Sequence, residues 1–392
     1  MTLLASASET ITTFQSPYMN AGDTELATMS NGAMVGADTK AYLDLDPDAP
    51  ERASYDDDIV VEVADGVWTI GTAGLVNSHI VRGPDGLIVY DTGENDAEGT
   101  HFYKMLRTVS DLPIRAIIYS HEHYVSGTRV MVEAEAERGN TDIKIIGHPR
   151  TNEEMAKTGG LSSIHPEVGG ILMARAVEQF NFYLPVEGPD AAFKNTLVPG
   201  AGGFVPVNTP VEHGQKMNIA GLELEFLTEG IATDTANQVM VWIPSRKIVM
   251  NNIIWGWFPN IYSARGGRYR SPEQWIEAVD NIRSLRPEIL LSSHHSTMAG
   301  AEFIMERLDN YRDSLAYVLD QTLKNILLGR GPTELRYDVK LPEHLQLSPS
   351  LIQNYGEVAI MSPRIYKALF GQADGAGHGR SRPRCRQGKG GL

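Results

Sequence analysis

The residues of this chain best suited to chemistry are histidines that close apolar segments. His121 and His123 follow the run Ile114 to Ser120, and His294 and His295 follow the run Pro287 to Ser293. An imidazole at the end of a buried strand is held at fixed geometry, which is what a metal ligand needs. With 11 histidines in 392 residues neither pair is specific as a dipeptide, so the information lies in its place at a strand end. Asp91 closes Leu87 to Tyr90 in the same way, placed to ligate a cation directly or to orient a ligand histidine; capping the turn before Gly93 is its structural alternative. His148, closing Ile143 to Gly147, is suited to orienting substrate or binding metal. His79, His101, His165, His213, His344 and His378 read as loop or helix histidines without such convergence.

The elements that must position these side chains are legible from periodicity. From Asp58, three short β-branched runs separated by Asp-Gly turns predict a β-meander over 59–93. Residues 100–112 carry apolar residues at helical spacing up to Pro113, and 114–120 then reads as a strand buried on both faces. A helix over 128–138, a strand over 143–147 and a helix opening at Thr151, with Glu154 at capping-box spacing, continue the alternation. Residues 160–205 are Gly-rich and irregular; Phe180 to Pro185 there is either a pocket lining or a packed insertion. A second meander is predicted over 217–254. Two β layers flanked by helices make an α/β protein of αββα sandwich type. From 303 to Gly329 the apolar spacing is helical over several turns, and 341–346 predicts another short helix.

The resulting division is an irregular arm over 1–55, a catalytic domain over 56–300, a helical segment over 301–374 and a disordered basic tail over 375–392. A formal net charge of −15 disfavours nucleic acid and anionic membrane as partners and favours a small molecule or a protein. The single cysteine, Cys385, rules out an internal disulfide and an all-thiolate metal site, so nitrogen and oxygen must hold any cation. The N-terminal stretch lacks the pattern of a secretory signal and no long apolar run follows, from which a cytoplasmic location is expected.

With these residues in place the chain resembles the alkylsulfatases of the metallo-β-lactamase superfamily, from about Asp58 to Asp374. The family pattern His-x-His-x-Asp-His stands here as His121-Glu122-His123-Tyr124-Val125-Ser126. The two ligand glutamates of the family fall on Gln238 and Asn252, the first histidine of its Ser-His-His motif on His294, and its Asn-Leu-Tyr-x-x-Arg-Gly stretch on Asn260 to Gly266. In relatives that Asn and Arg contact the sulfate, so the resemblance implies the same for Asn260 and Arg265. Residues 311–331, 341–345, 354–356 and 365–375 resemble the family's dimerisation domain, which implies a homodimer, or a hetero-oligomer with a related subunit, through 301–374. No counterpart of the family's C-terminal sterol-carrier-like domain is expected, which turns the substrate expectation away from long alkyl chains.

Two dications about 3.5–4 Å apart need anionic ligands between them, and this chain has Val125, Ser126, Gln238 and Asn252 where the family has Asp, His and Glu. One divalent metal is therefore expected, zinc or else manganese or iron, on His121, His123 and His294, with Asp91, Glu122, His148 or Asp234 as fourth ligand. The expected activity is attack of metal-held hydroxide on an ester, sulfate ester or activated ether of a small polar or anionic compound, xenobiotics included. Asn260 and Arg265 would stabilise charge, the latter unless it serves a structural ion pair, and Glu122 and His148 are the acid–base candidates. The competing expectations are a catalytically silent or regulatory subunit that pairs with an active homologue, and a metal-independent hydrolase using Glu122 or His148 as base.

Overall fold

A computed structural model describes residues 26–28, 34–36, 59–71, 76–158, 166–168, 171, 201–255, 258–261, 269–294, 297–346, 348, 351, 353 and 356–371. The expectations on residues 180–185, on Arg265, on His295 and on the basic tail lie outside them. Within the N-terminal arm the described residues are the antiparallel pair β1 (Leu26–Thr28) and β2 (Met34–Gly36).

The first sheet has seven strands in chain order: β3 (Ile59–Ala64), β4 (Val67–Gly71), β5 (Ser78–Gly83), β6 (Gly86–Tyr90), β7 (Ile114–Ile118), β8 (Lys144–Gly147) and β9 (Thr209–Pro210). It runs antiparallel up to β6 and parallel from β6 to β9. The parallel steps cross over through α1 (Asp96–Val109), α2 (Thr128–Glu137) and, between β8 and β9, α3 (Thr151–Thr158). Asn95 starts α1 by accepting the Ala97 and Glu98 amides on its side-chain oxygen, at 2.9 and 3.1 Å.

The second sheet has six: β10 (Gln215–Ile219), β11 (Leu222–Leu227), β12 (Met240–Ile243), β13 (Ile248–Trp255), β14 (Ile289–His294) and β15 (Met298–Ala299). β10 to β13 are antiparallel, and β13 pairs parallel with β14 through the crossover α4 (Pro272–Leu285), capped by Ser271 with Pro272 at its first position.

Side-chain alternation sorts each strand into two layers. Leu87 and Val89 of β6 pack outward with Phe102, Met105 and Leu106 of α1, while Ile88 and Tyr90 point inward to Val241, Met250 and Leu291 of the other sheet. On the far side, Val249 and Leu290 pack with Trp275, Val279 and Ile282 of α4. A slip of one residue in β6 would exchange its two faces, so both layers fix the register. The arrangement is the αββα sandwich. That last cluster continues into the C-terminal helices α5 (Ala301–Leu327), α6 (Pro332–Asp338), α7 (Glu343–Gln346) and α8 (Val358–Phe370), through Leu308, Leu315, Leu335, Leu345, Met361 and Ile365. The helical segment thus shares a core with the second sheet.

Two local expectations are corrected. Thr151 Oγ1 makes no capping bond: the Glu154 amide donates to the Arg150 carbonyl at 2.9 Å instead, and the Glu154 carboxylate accepts from the Asn237 side-chain amide at 3.3 Å. His79 is no loop residue: it lies within β5, wholly buried, bonded to Thr69 Oγ1 at 2.9 Å and to the Ser292 carbonyl at 3.1 Å, and burial pushes its pKa down to about 4. Among the described residues no helix is long and apolar enough to cross a membrane.

Candidate metal centre

The carboxyl ends of β6 and β7 meet those of β13 and β14 at one rim. After β7 the chain turns through 119–127, and this loop is stitched to the one after β6. Thr92 donates its amide to the Tyr124 carbonyl at 3.0 Å and Ser126 to the Gly93 carbonyl at 3.1 Å. Glycine is required at the closing position, since a Cβ on Gly127 would stand 1.9 Å from the Thr92 carbonyl oxygen. The third loop, between β11 and β12, is tied in by the Val239 amide on the Ser120 carbonyl at 2.8 Å.

This stitching brings His121 and His123 together with Asp234. His121 Nε2 lies 2.9 Å from His123 Nδ1, and Asp234 Oδ2 lies 3.7 and 3.8 Å from those nitrogens. The other oxygen of Asp234 is occupied: Oδ1 accepts from Thr233 Oγ1 and from Asn252 Nδ2, both at 3.0 Å. Asn252 also donates to Gln238 Oε1 at 3.2 Å, and the Gln238 amide nitrogen donates to the Ile231 carbonyl, Thr233 Oγ1 and the Thr235 carbonyl. A bulge in β13 delivers Asn252 to this network. The adjacent Asn251 holds the bulge, its side-chain oxygen accepting the Ile253 and Ile254 amides at 2.8 and 3.0 Å.

Electrostatics divide the three donors in the way a cation requires. Burial pushes the His121 imidazole down to about 4 against the pull of Asp234, so its ring is neutral at pH 7 and has a lone pair to give. Burial alone would raise the Asp234 carboxyl, but the charges facing it, of His121, Arg270, His123 and His294, hold it well below the usual carboxylate range. With His121 neutral, the permanent member of that set is the Arg270 guanidinium. The donor triangle of 2.9, 3.7 and 3.8 Å closes around a point about 2 Å from each atom, the bond length of zinc to imidazole nitrogen or carboxylate oxygen. Among the described residues, these three are the group of His, Cys, Asp and Glu that can hold a metal ion, and they fit a single divalent cation.

The other candidates have different surroundings. His294 Nε2 is 2.9 Å from the Tyr124 hydroxyl. Asp91, in left-handed backbone with φ 61°, accepts from the Ser120 amide at 2.8 Å and from Ser293 Oγ at 2.6 Å, and burial raises its carboxyl to about 7. Glu122 is buried and accepts the Thr235 hydroxyl on both oxygens, at 3.0 and 3.1 Å. His148 is half-buried and accepts the Arg150 amide on Nδ1 at 3.2 Å. Asn260 is buried and accepts the Arg270 guanidinium on its side-chain oxygen and, at 3.0 Å, on its carbonyl.

A family model described as the metallo-beta-lactamase superfamily matches residues 71–124, a span that covers the strands of the first sheet from the end of β4 to the histidine loop. A linear primary-alkylsulfatase from a Pseudomonas species is 28% identical over 304 residues, 76% of this chain. The alkyl/aryl-sulfatase BDS1 of Saccharomyces cerevisiae is 23% identical over 334 residues, 80% of this chain. The fold agrees with that of the stereoselective inverting sec-alkylsulfatase Pisa1 from Pseudomonas sp., at a TM-score of 0.72 and 20% identity over 90% of this chain and 58% of that one. The chain resembles the alkylsulfatases of the metallo-β-lactamase superfamily. It spans about half the length of the curated relatives it matches, 56% and 49%.

Within the alkylsulfatase-like frame, Gln238 and Asn252 form one hydrogen-bonded amide pair that orients Asp234. Three residues gain importance here, one named from the sequence only as an alternative and two not singled out at all. Asp234 appeared there as one of four alternatives for a fourth ligand, because a loop residue between two meander strands has no periodicity to mark it. Arg270 and Tyr124 carried no signal: one precedes a helix cap and the other fills a variable position of the histidine motif. Their burial and partners come from the tertiary fold.

Proposed function

We propose that the chain is a metal-dependent hydrolase of sulfate esters or related esters and activated ethers of small polar or anionic compounds, xenobiotics among them. The observation that carries this reading is the convergence of two imidazoles and one ionised carboxylate on a single cation-sized point, at the rim where the two sheets meet. A divalent cation there, zinc by its donor set or else manganese or iron, supplies Lewis acidity and lowers the pKa of water toward neutrality. His121, His123 and Asp234 would hold it. Among the described residues these are fewer and less anionic donors than two cations need, which favours a single ion.

The chain's own groups supply the rest. Arg270, fixed on Asn260 and with its guanidinium carbon 5.9 Å from the Trp255 ring centroid, keeps a positive charge next to the donor triangle, suited to the anionic end of a sulfate ester. Accepting on Nδ1 leaves the neutral His148 ring with its proton on Nε2, a donor for substrate. Glu122, held by the Thr235 hydroxyl, is the second acid–base candidate. His294 and Asp91 stay in the proposed site, and Arg265, outside the described residues, keeps the sulfate-contacting role that the resemblance implies. The division at residues 55, 300 and 374, the cytoplasmic location and association through 301–374 belong to the same proposal; exposed Leu327, Leu328, Tyr337, Leu369 and Phe370 support the last.

Metal analysis of the purified protein, with turnover of alkyl and 4-nitrophenyl sulfates and esters, tests it. One equivalent of cation is expected, with loss of both cation and turnover in His121→Ala and His123→Ala. A wild-type chain that binds no cation after reconstitution overturns the reading in favour of a silent subunit. Turnover that survives exhaustive chelation overturns it in favour of a metal-independent hydrolase.

A further inference from the structure

His294 ends β14 in register with Trp255, and its ring is clamped by two aromatic side chains. Tyr124 lies 5.0 Å from it at 80° and Trp255 5.3 Å at 73°. The Trp255 wall is itself fixed, with its indole N–H on the Asn252 carbonyl at 3.0 Å and its ring 5.0 Å from that of Trp275. Tyr124 stands between His294 and the donor histidines, edge-on to His121 at 5.0 Å and 90° and to His123 at 5.9 Å and 77°. Its hydroxyl shares a hydrogen with His294 Nε2 at 2.9 Å.

We infer that Tyr124 is a positioning residue that withholds His294 from the cation and keeps the centre at three protein ligands. The inference rests on the cation site proposed above. An imidazole ligates through a nitrogen lone pair. While Nε2 is bonded to Tyr124 that pair is either accepting the phenol O–H or replaced by an N–H; the contact between His121 and His123 is an edge of the donor triangle itself, where a cation would replace it, whereas the Tyr124 bond ties His294 to a residue outside that triangle. Three protein ligands leave a position open to water or substrate, the condition that separates catalytic from structural centres. A fourth imidazole in that position would close it.

Chelator competition for zinc and the visible spectrum of the cobalt-loaded protein test this on four proteins: wild type, Tyr124→Phe, His294→Ala and the double variant. His294→Ala is expected to bind within about threefold of wild type with an unchanged cobalt spectrum, unlike His121→Ala. Tyr124→Phe, which keeps the ring and so the fold, is expected to bind about tenfold tighter or more with an altered spectrum, a change on the scale that partners of metal ligands exert. Both changes should vanish in Tyr124→Phe/His294→Ala. A tenfold loss of affinity in His294→Ala, or a Tyr124→Phe protein whose affinity and spectrum match wild type, overturns the inference while leaving the cation site standing. A wild-type protein that binds no cation removes both.

Discussion

Two buried aspartates at the same rim have opposite fates. Asp234, in the loop after β11, faces imidazoles and the Arg270 guanidinium and stays ionised. Asp91, at the end of β6, faces the neutral donors Ser120 and Ser293, and burial lifts its carboxyl to about 7. Burial is common to both, so the difference comes from what each carboxylate sees. The lesson is that a buried carboxylate at this rim is suited to hold a cation only where positive charge or a cation compensates it. Where only hydroxyl and amide donors meet it, it serves as a strut, here joining β6 and the loop after β7 to β14. Breaking that comparison from the Asp234 side has the largest expected effect. Asp234→Asn keeps the shape and removes the charge, so cation content should fall with turnover by about a thousandfold or more. Metal analysis and sulfate-ester assays read it directly, and an Asp234→Asn protein that keeps both would assign the ligand role elsewhere, to Asp91 first.

The next effect comes from making the Asp234 side more like a two-cation centre. Asn252 Nδ2 donates to Asp234 Oδ1 at 3.0 Å. In Asn252→Asp two carboxylates would meet in a buried place, at a cost of about 2–4 kcal/mol without metal. Thermal melts with and without zinc are expected to show a lowered Tm in the cation-free protein and a larger gain on adding zinc than wild type gives. Equal melting of variant and wild type without cation would mean that Asn252 does not orient Asp234.

How far this division was visible in the sequence follows from the kind of signal each part leaves. The sandwich was legible because a strand buried on both faces needs a continuous apolar run, as in β7 and β13, and because parallel pairing needs the helical crossovers that period 3.6 marks. The histidine loop was legible for the same reason, since β7 points to where its end must lie. Asp234 and Asp91 are indistinguishable by type. Asp91 drew attention only because it ends a strand, whereas the partners that decide their charges, Arg270, Ser293 and His121, are remote in sequence and meet them through the pairing of two sheets. Tyr124 shows the same limit: its neighbours in sequence mark the site, but its partner His294 lies 170 residues away.

On the Asp91 side the effects are smaller and depend on pH. The folded protein binds a proton at Asp91 that the unfolded chain has released between about 4 and about 7, so stability falls as pH rises through that window and levels off above it. One such proton gives a slope of about 1.4 kcal/mol per pH unit at most. Asp91→Asn removes this contribution, keeps an acceptor for the Ser120 amide and suits the left-handed backbone at φ 61°. Denaturant unfolding from pH 4 to pH 8 is expected to show a shallower decline in the variant. Equal slopes would place the titrating proton elsewhere, Glu98 being the next candidate, since burial raises it to about 7 as well.

The smallest change separates the strut from its charge. Ser293→Ala takes one donor from Asp91 Oδ2 and leaves the Ser120 amide on Oδ1. Two consequences follow with definite signs. The lost hydrogen bond costs about 1 kcal/mol at pH 8, where the carboxylate is charged and needs the donor most. At pH 4 the carboxyl is protonated and the cost should be less. Because the Ser293 bond lowers the Asp91 pKa, its removal moves the end of the stability decline to higher pH, the reverse of what a merely structural cavity would do. Cation content should stay at one equivalent, since Asp91 donates nothing to the triangle of His121, His123 and Asp234. A Ser293→Ala protein that loses its cation would show that the strut and the ligand are one system, and the contrast between the two aspartates would fail.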